Sequence, residues 1–310
     1  MDEWLVAQAL GDATAIEETT RRLPARFGAA VSIAIMVGLP LGDLERLLEA
    51  RLRNTMPVGG ERCELLTALG RVAAVRGRPS DAIAFAESAA SSGCGHDPSL
   101  MLTRALVDSG YTEVAARYAA SMPDTASSME LLCTTELWRV ASGDTSRSRA
   151  VVDHIVHSTR DRESVGPRIG PSGHLCVEAI EAGIEAQDPG ATSRPALARL
   201  DALHRQGTGN KLPAGINVAL ARWLEASGDL PAAVAAVRRR TNAWTEGFQD
   251  AKPASLREEG RLAALVGDTA GAIAAYEQYL ELRDQPEPGS LQHEVATVRA
   301  ELAALKAKRR

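Results

Sequence analysis

Long apolar runs are missing from this chain. The longest stretch without a charge, residues 27–42, has sixteen residues and is broken by Gly38 and Pro40. That is short of the roughly 20 apolar residues needed to cross a bilayer. The start, Met1-Asp2-Glu3-Trp4, is acidic where a secretory signal carries positive charge. Cysteines are few and dispersed, at 63, 94, 133 and 176, so no zinc knuckle or CxxC redox site is present. Four isolated thiols without a signal are expected as small buried residues in a reducing cytoplasm. Lysine is nearly absent, four against 31 Arg, which reads as a compositional habit of an Ala-, Gly- and Arg-rich genome. Strand patterns are absent too: apolar residues recur at helical spacing and no Val/Ile alternation is sustained. The net charge of −5 does not imply a nucleic-acid binder that works by bulk electrostatics.

With 45% apolar and 24% charged residues, the chain has the composition of a folded domain. Its main signal is a repeat. Gly-Asp occurs five times, at 11, 42, 143, 228 and 267, where chance gives about 1.3. Glycine closes one helix in the left-handed conformation and Asp caps the next. Gly77-Arg78-Pro79 makes the same corner with Pro in the first helical turn, and Gly110-Tyr111-Thr112 with Thr as the cap. Five residues beyond the corner glycines at 77, 110, 143, 228 and 267 stand Ala82, Ala115, Ser148, Ala233 and Ala272. Seven residues before two of them stand Gly70 and Gly260. Small residues at both places let paired helices approach closely.

The spacing predicts helices at 2–10, 12–23, 26–38, 43–54, 61–76, 79–92, 97–109, 112–121, 126–142 and 145–158. It predicts more at 172–187, 193–206, 213–227, 230–243, 254–266, 269–283 and 290–308. Corners 31 to 39 residues apart, each joining two helices, imply an α-solenoid; one corner is missing between 143 and 228, where Gln187-Asp188-Pro189 stands in its place. In the last helix Leu291, Val295, Val298, Leu302 and Leu305 form one apolar stripe, as a terminal cap requires. The Gly/Pro-rich residues 159–173 read as a hinge between subarrays. The expected organisation is 1–158, an amino-terminal helical subarray; 159–173, the loop or hinge; 174–289, a second subarray; and 290–310, a capping helix with a basic tail.

Residues 267–283, with Ala272, Tyr276, an exit near Pro286 and Gly260 on the preceding helix, resemble a tetratricopeptide repeat (TPR). The likeness covers residues 60–285 unevenly, and the first 58 only through their corners. It implies an all-α fold: a right-handed α-solenoid of about eight TPR-like helix pairs with a carboxy-terminal capping helix. The segment from Leu256, running on to 292–302, also resembles the helical repeat region of large bacterial signalling proteins that carry a Ser/Thr kinase or a transcription-regulator domain. No kinase signature accompanies it here.

No set of residues reads as a catalytic centre. Asp153, His154 and His157 could share a helical face, but a metal needs further ligands. Cys94 and His96 flank a turn glycine without a third group to orient them. The glycine-rich residues 166–173 and 207–211 fit neither a phosphate loop nor a nucleophile elbow at Ser172. The chain is therefore expected to be no enzyme, with no catalytic residue, no metal and no cofactor. One column stands out: six residues before the corner glycines lie Arg71, Arg104, Arg222 and Arg261, with Leu137 as the exception and Arg257 a turn earlier. In tetratricopeptide arrays that column faces the concave groove, where guanidinium groups would suit an acidic protein or peptide. The competing reading is solvated or internally salt-bridged arginines. The expected role is a non-catalytic cytoplasmic scaffold that binds a protein or peptide, with no nucleic acid and no membrane. The alternatives are a detached regulatory module of a signalling kinase or transcription regulator, or a small-ligand sensor with a pocket at 159–173.

Overall fold

The computed structural model of the chain describes residues 27–37, 40–55, 59–94, 102, 105–106, 109–111, 128–163, 172–187, 193–205, 216–239 and 248–309. Among these, regular structure is entirely helical. In order, α1 is Phe27–Val37, α2 Leu41–Arg53, α3 Gly60–Arg76, α4 Pro79–Ser91, α5 Ser128–Ala141, α6 Ser148–Glu163 and α7 Ser172–Gln187. Then come α8 Ser193–Arg205, α9 Ile216–Ala226, α10 Leu230–Arg238, a 3-10 turn Phe248–Ala251, α11 Lys252–Leu265, α12 Thr269–Leu282 and α13 Ser290–Arg309. The helices expected at 61–76, 79–92, 172–187, 193–206 and 269–283 are found to within one residue. Those expected at 2–10, 12–23 and 112–121 lie outside the described residues, as does 97–109 except for its helical residues 102, 105 and 106 and the turn residue 109.

The corners form as the sequence implies. Gly77, Gly110, Gly143, Gly228 and Gly267 all have φ between 79° and 103°, where a side chain would be strained. Asp229 and Asp268 accept hydrogen bonds from the N–H groups of Ala232 and Gly271, at 3.0 and 2.9 Å, and so cap α10 and α12. Gly42-Asp43 is a correction. Helix α2 already begins at Leu41 with Pro40 as its N-cap, so the dipeptide sits inside the first turn. Gly11-Asp12 lies outside the described residues.

Behind each corner the small-residue column is fully buried: Ala82, Ser148, Ala233 and Ala272 all have 0% exposure. Ala115 is outside the described residues. A Cβ at Gly70 would run into Leu102, and one at Gly260 into the Tyr276 ring. Gly183, which the pattern did not single out, stands in the same relation to Trp223. Gly260 thus brings α11 close to α12 within one pair, whereas Gly70 and Gly183 let α3 and α7 approach elements beyond their own partners. The helices pack as pairs, α3 with α4, α5 with α6, α7 with α8, α9 with α10 and α11 with α12, and α13 covers α12. Helix α13 buries Val295, Val298 and Leu302 and half-buries Leu291 and Leu305, leaving the other side to solvent.

The segment expected as a loop or hinge at 159–173 is shorter than its expected bounds: α6 runs on to Glu163, α7 begins at Ser172, and 164–171 lie outside the described residues. A disulfide, Cys133–Cys176, ties α5 to α7 across this joint, with Cα atoms 6.0 Å apart. One apolar cluster runs unbroken from Leu106 and Leu137 through Ile155 and Ile180 to Leu220 and Val237.

The ends of the described chain also meet. In an open array each pair touches only its neighbours. Here Phe27, Val31, Leu44, Leu65 and Val72 share a core with Leu256, Tyr276, Tyr279, Leu282 and Val295. Polar contacts reinforce that junction. Arg71 of α3 is fully buried against Asp250 of the 3-10 turn, Nε to Oδ2 3.0 Å, and also donates to the Gly28 carbonyl and Ser32 hydroxyl. Arg76 donates to Asp284 and Glu45, and Arg283 donates to the carbonyls of Ala74, Val75 and Ser109. The backbone joins in: the N–H of Glu287 donates to the Gly77 carbonyl at 2.8 Å.

Candidate functional site

The arginine column does not form a ladder of free cations. Arg71 is a correction, because its side chain is sealed between α1, α3 and the 3-10 turn and is consumed by Asp250. Burial of a charged pair of this kind stabilises only when both partners are present. Arg104 lies outside the described residues. Leu137, the exception in the column, is buried at 2% exposure, as an inward-facing position should be.

Arg222, Arg257 and Arg261 do share one surface, carried by α9 and α11, with side chains 26%, 43% and 38% exposed. Each is held internally. Arg261 forks onto Glu225 of α9, with Nη1 to Oε1 at 2.8 Å, and bonds Glu258 one turn back on its own helix at 2.7 Å. Arg222 lies 3.5 Å from the same Glu258, a carboxylate only 5% exposed. Its guanidinium also stacks over the Trp138 ring of α5, 5.7 Å from the centroid. Arg257 pairs with Glu294 of α13 at 3.2 Å, and Glu294 accepts from the Tyr279 hydroxyl at 2.6 Å. Tyr276 donates to Glu301 on the same helix as Glu294. The result is a ribbon of alternating charge that stitches α5, α9, α11, α12 and α13 together.

Its electrostatics follow from that pairing. The hydrogen bonds that Arg261 donates hold the Glu225 carboxyl below the usual carboxylate range, and the accepting carboxylates of Glu225 and Glu258 raise the Arg261 guanidinium further. Burial pushes the Tyr276 and Tyr279 phenols up, and the neighbouring Glu301 and Glu294 add to it. Three arginines meet Glu225, Glu258 and Glu294, so the positive potential expected of the column is largely cancelled. Of these partners only Glu258 was legible from sequence, three residues before Arg261 on one helix. Glu225, Glu294 and Trp138 come from other helices, and no local spacing announces them.

The remaining candidates resolve simply. Cys94, the thiol beside a histidine, is bonded to Cys63, with Cα atoms 5.5 Å apart, and is no free nucleophile. The expectation of four free thiols is thus corrected at both pairs, and with it goes the thiol argument for a reducing compartment. His96 lies outside the described residues, as do 164–171 and 206–215, the greater part of both glycine-rich loops. Asp153, His154 and His157 are exposed on α6. Lys306 of the basic tail pairs with Glu277 at 2.6 Å. Among the described residues no helix is long and apolar enough to cross a membrane.

Compared with protein-family models, with curated proteins and with solved structures, the chain matches none.

Proposed function

We propose that the chain is a non-catalytic scaffold of TPR-like helix pairs, arranged as a right-handed solenoid with a capping helix, that binds a protein or peptide segment. The observation that carries this reading is the repeated corner. A left-handed glycine is followed five residues on by a fully buried small side chain in four described pairs, so the chain is built from one unit used repeatedly. Such units serve chiefly to present a preformed surface. The surface in question is the ribbon around Arg222, Arg257 and Arg261. An acidic partner would bind there by exchange, its carboxylates displacing Glu225 and Glu294 rather than meeting bare cations. Binding of that kind is salt-sensitive and weaker than an open arginine groove would give.

The test is crosslinking of the native chain to its partner in cell extract, with mapping of the crosslinked residues and comparison with Arg257→Ala/Arg261→Ala. Crosslinks on α9, α11 and α13 that disappear in the double variant and weaken with salt support the reading. A partner bound equally by both proteins, with crosslinks elsewhere, removes this face from the proposal.

A further inference from the structure

The two disulfides occupy unlike chemical settings. Cys133 and Cys176 are 4% and 3% exposed and lie inside the apolar core between α5 and α7. Cys63 and Cys94 are both partly exposed at one end of the α3–α4 pair. Cys63 is the fourth residue of α3, its N–H bonded to the Gly59 carbonyl at 3.2 Å, so its sulfur belongs to the positive end of that helix. Cys94 follows Gly93, a left-handed residue at φ 75°, and its N–H bonds back to the Ala89 carbonyl at 3.1 Å. Arg62 sits beside the crossing, its Nε donating to the Ser92 hydroxyl at 3.2 Å. Helix N-termini and nearby cations both favour a thiolate.

We propose that Cys63–Cys94 is a reversible thiol–disulfide exchange site for low-molecular-mass thiols such as glutathione, while Cys133–Cys176 is a permanent staple. An incoming thiolate attacks Sγ of Cys94, forming a mixed disulfide as the Cys94–Cys63 bond breaks. The electron pair leaves on Cys63, whose thiolate the first turn of α3 stabilises, and the better-stabilised thiolate is the faster leaving group. A second thiolate then takes the small thiol off Cys94. The protein gains two thiols, and the small thiols leave oxidised as their disulfide. Oxidised glutathione runs the sequence backwards. Opening this tie does not separate the pair, because the Arg62–Ser92 bond and the buried contacts of Ala82, Ala86 and Ala89 still hold α4 to α3. What loosens is the chain that follows Ser92, at Gly93 and Cys94.

The experiment uses the full chain under native conditions at neutral pH, pulsed with an alkylating reagent and mapped by mass spectrometry, first without reductant and then in reduced glutathione. Without reductant, none of the four cysteines should be labelled. With it, Cys63 and Cys94 should label on the order of tenfold faster than Cys133 and Cys176. Oxidised glutathione should restore their protection, and limited proteolysis should find a new cut after Ser92 only in the reduced form. The idea is overturned if Cys63 or Cys94 labels before any reductant is added, if both pairs open at one rate, or if the core pair opens first. Both pairs are read in one wild-type chain, so the result does not depend on a cysteine variant that folds.

Discussion

At the scale of single residues, the positions that matter most are those where burial leaves no room for adjustment. Ala272 has no exposed surface and faces the helix that Gly260 opens for Tyr276. Ala272→Phe should therefore cost about 1–3 kcal/mol by overpacking, read as a lower melting temperature; an unchanged one would mean that the pair is loosely packed. His204 is a second such position. Burial, with Arg239 nearby, lowers its imidazole to about 4 from 6.5. The neutral ring accepts from Arg239 Nε at Nδ1, 3.4 Å away. Because the folded value is the lower one, the unfolded chain binds the extra proton first as pH falls. Stability from this residue is complete above about pH 6.5 and is lost on descending towards pH 4. Chemical denaturation across that window should show the loss, and His204→Gln should flatten it. An identical slope in the variant would assign the titration to other groups.

The elements are delimited by corners, and here sequence and structure agree most closely. Left-handed glycines end the first helices and Asp229 and Asp268 begin the second ones, so the boundaries follow from backbone chemistry that acts over four or five residues. Asp268 does double duty, capping α12 and pairing with Arg238 of α10. The cap is the larger contribution, because the ion pair is largely exposed. Asp268→Ala should cost about 1 kcal/mol, whereas Asp268→Asn should recover most of it, since Asn keeps the capping oxygen but not the charge. Equal loss in both, measured by urea denaturation, would shift the weight to Arg238. Gly42-Asp43 shows the limit of the same logic. The dipeptide is that of a corner, but Pro40 ends the preceding segment first and α2 starts ahead of it.

Across the whole molecule, the decisive feature is the junction of α1–α4 with α11–α13. Arg71 and Asp250, 179 residues apart, are buried as a pair at that junction. Asp250→Ala would strand the guanidinium and should cost about 3–5 kcal/mol. Replacing both partners, as in Arg71→Met/Asp250→Leu, should recover much of that. Hydrogen exchange should then show α1, α3 and α11 opening together in Asp250→Ala, because one core joins them. Exchange that rises only in α11 would mean that the amino-terminal helices are stable without their carboxy-terminal cover.

The sequence by itself determined whatever is local: the all-helical class, the pairing of helices, the corner glycines and the small residues behind them, and the stripe of α13. Each depends on contacts within one turn or one hairpin, so it leaves a period in the chain. The fate of the arginines was not local. Arg71 and Arg222 occupy the same place in their repeats, yet one is sealed against Asp250 and the other lies over Trp138 with a share of Glu258. The pairing of Cys133 with Cys176 and the meeting of the two ends were likewise decided only by tertiary structure. A charge or a thiol takes its chemistry from what stands within a few ångströms, and here those neighbours come from distant helices.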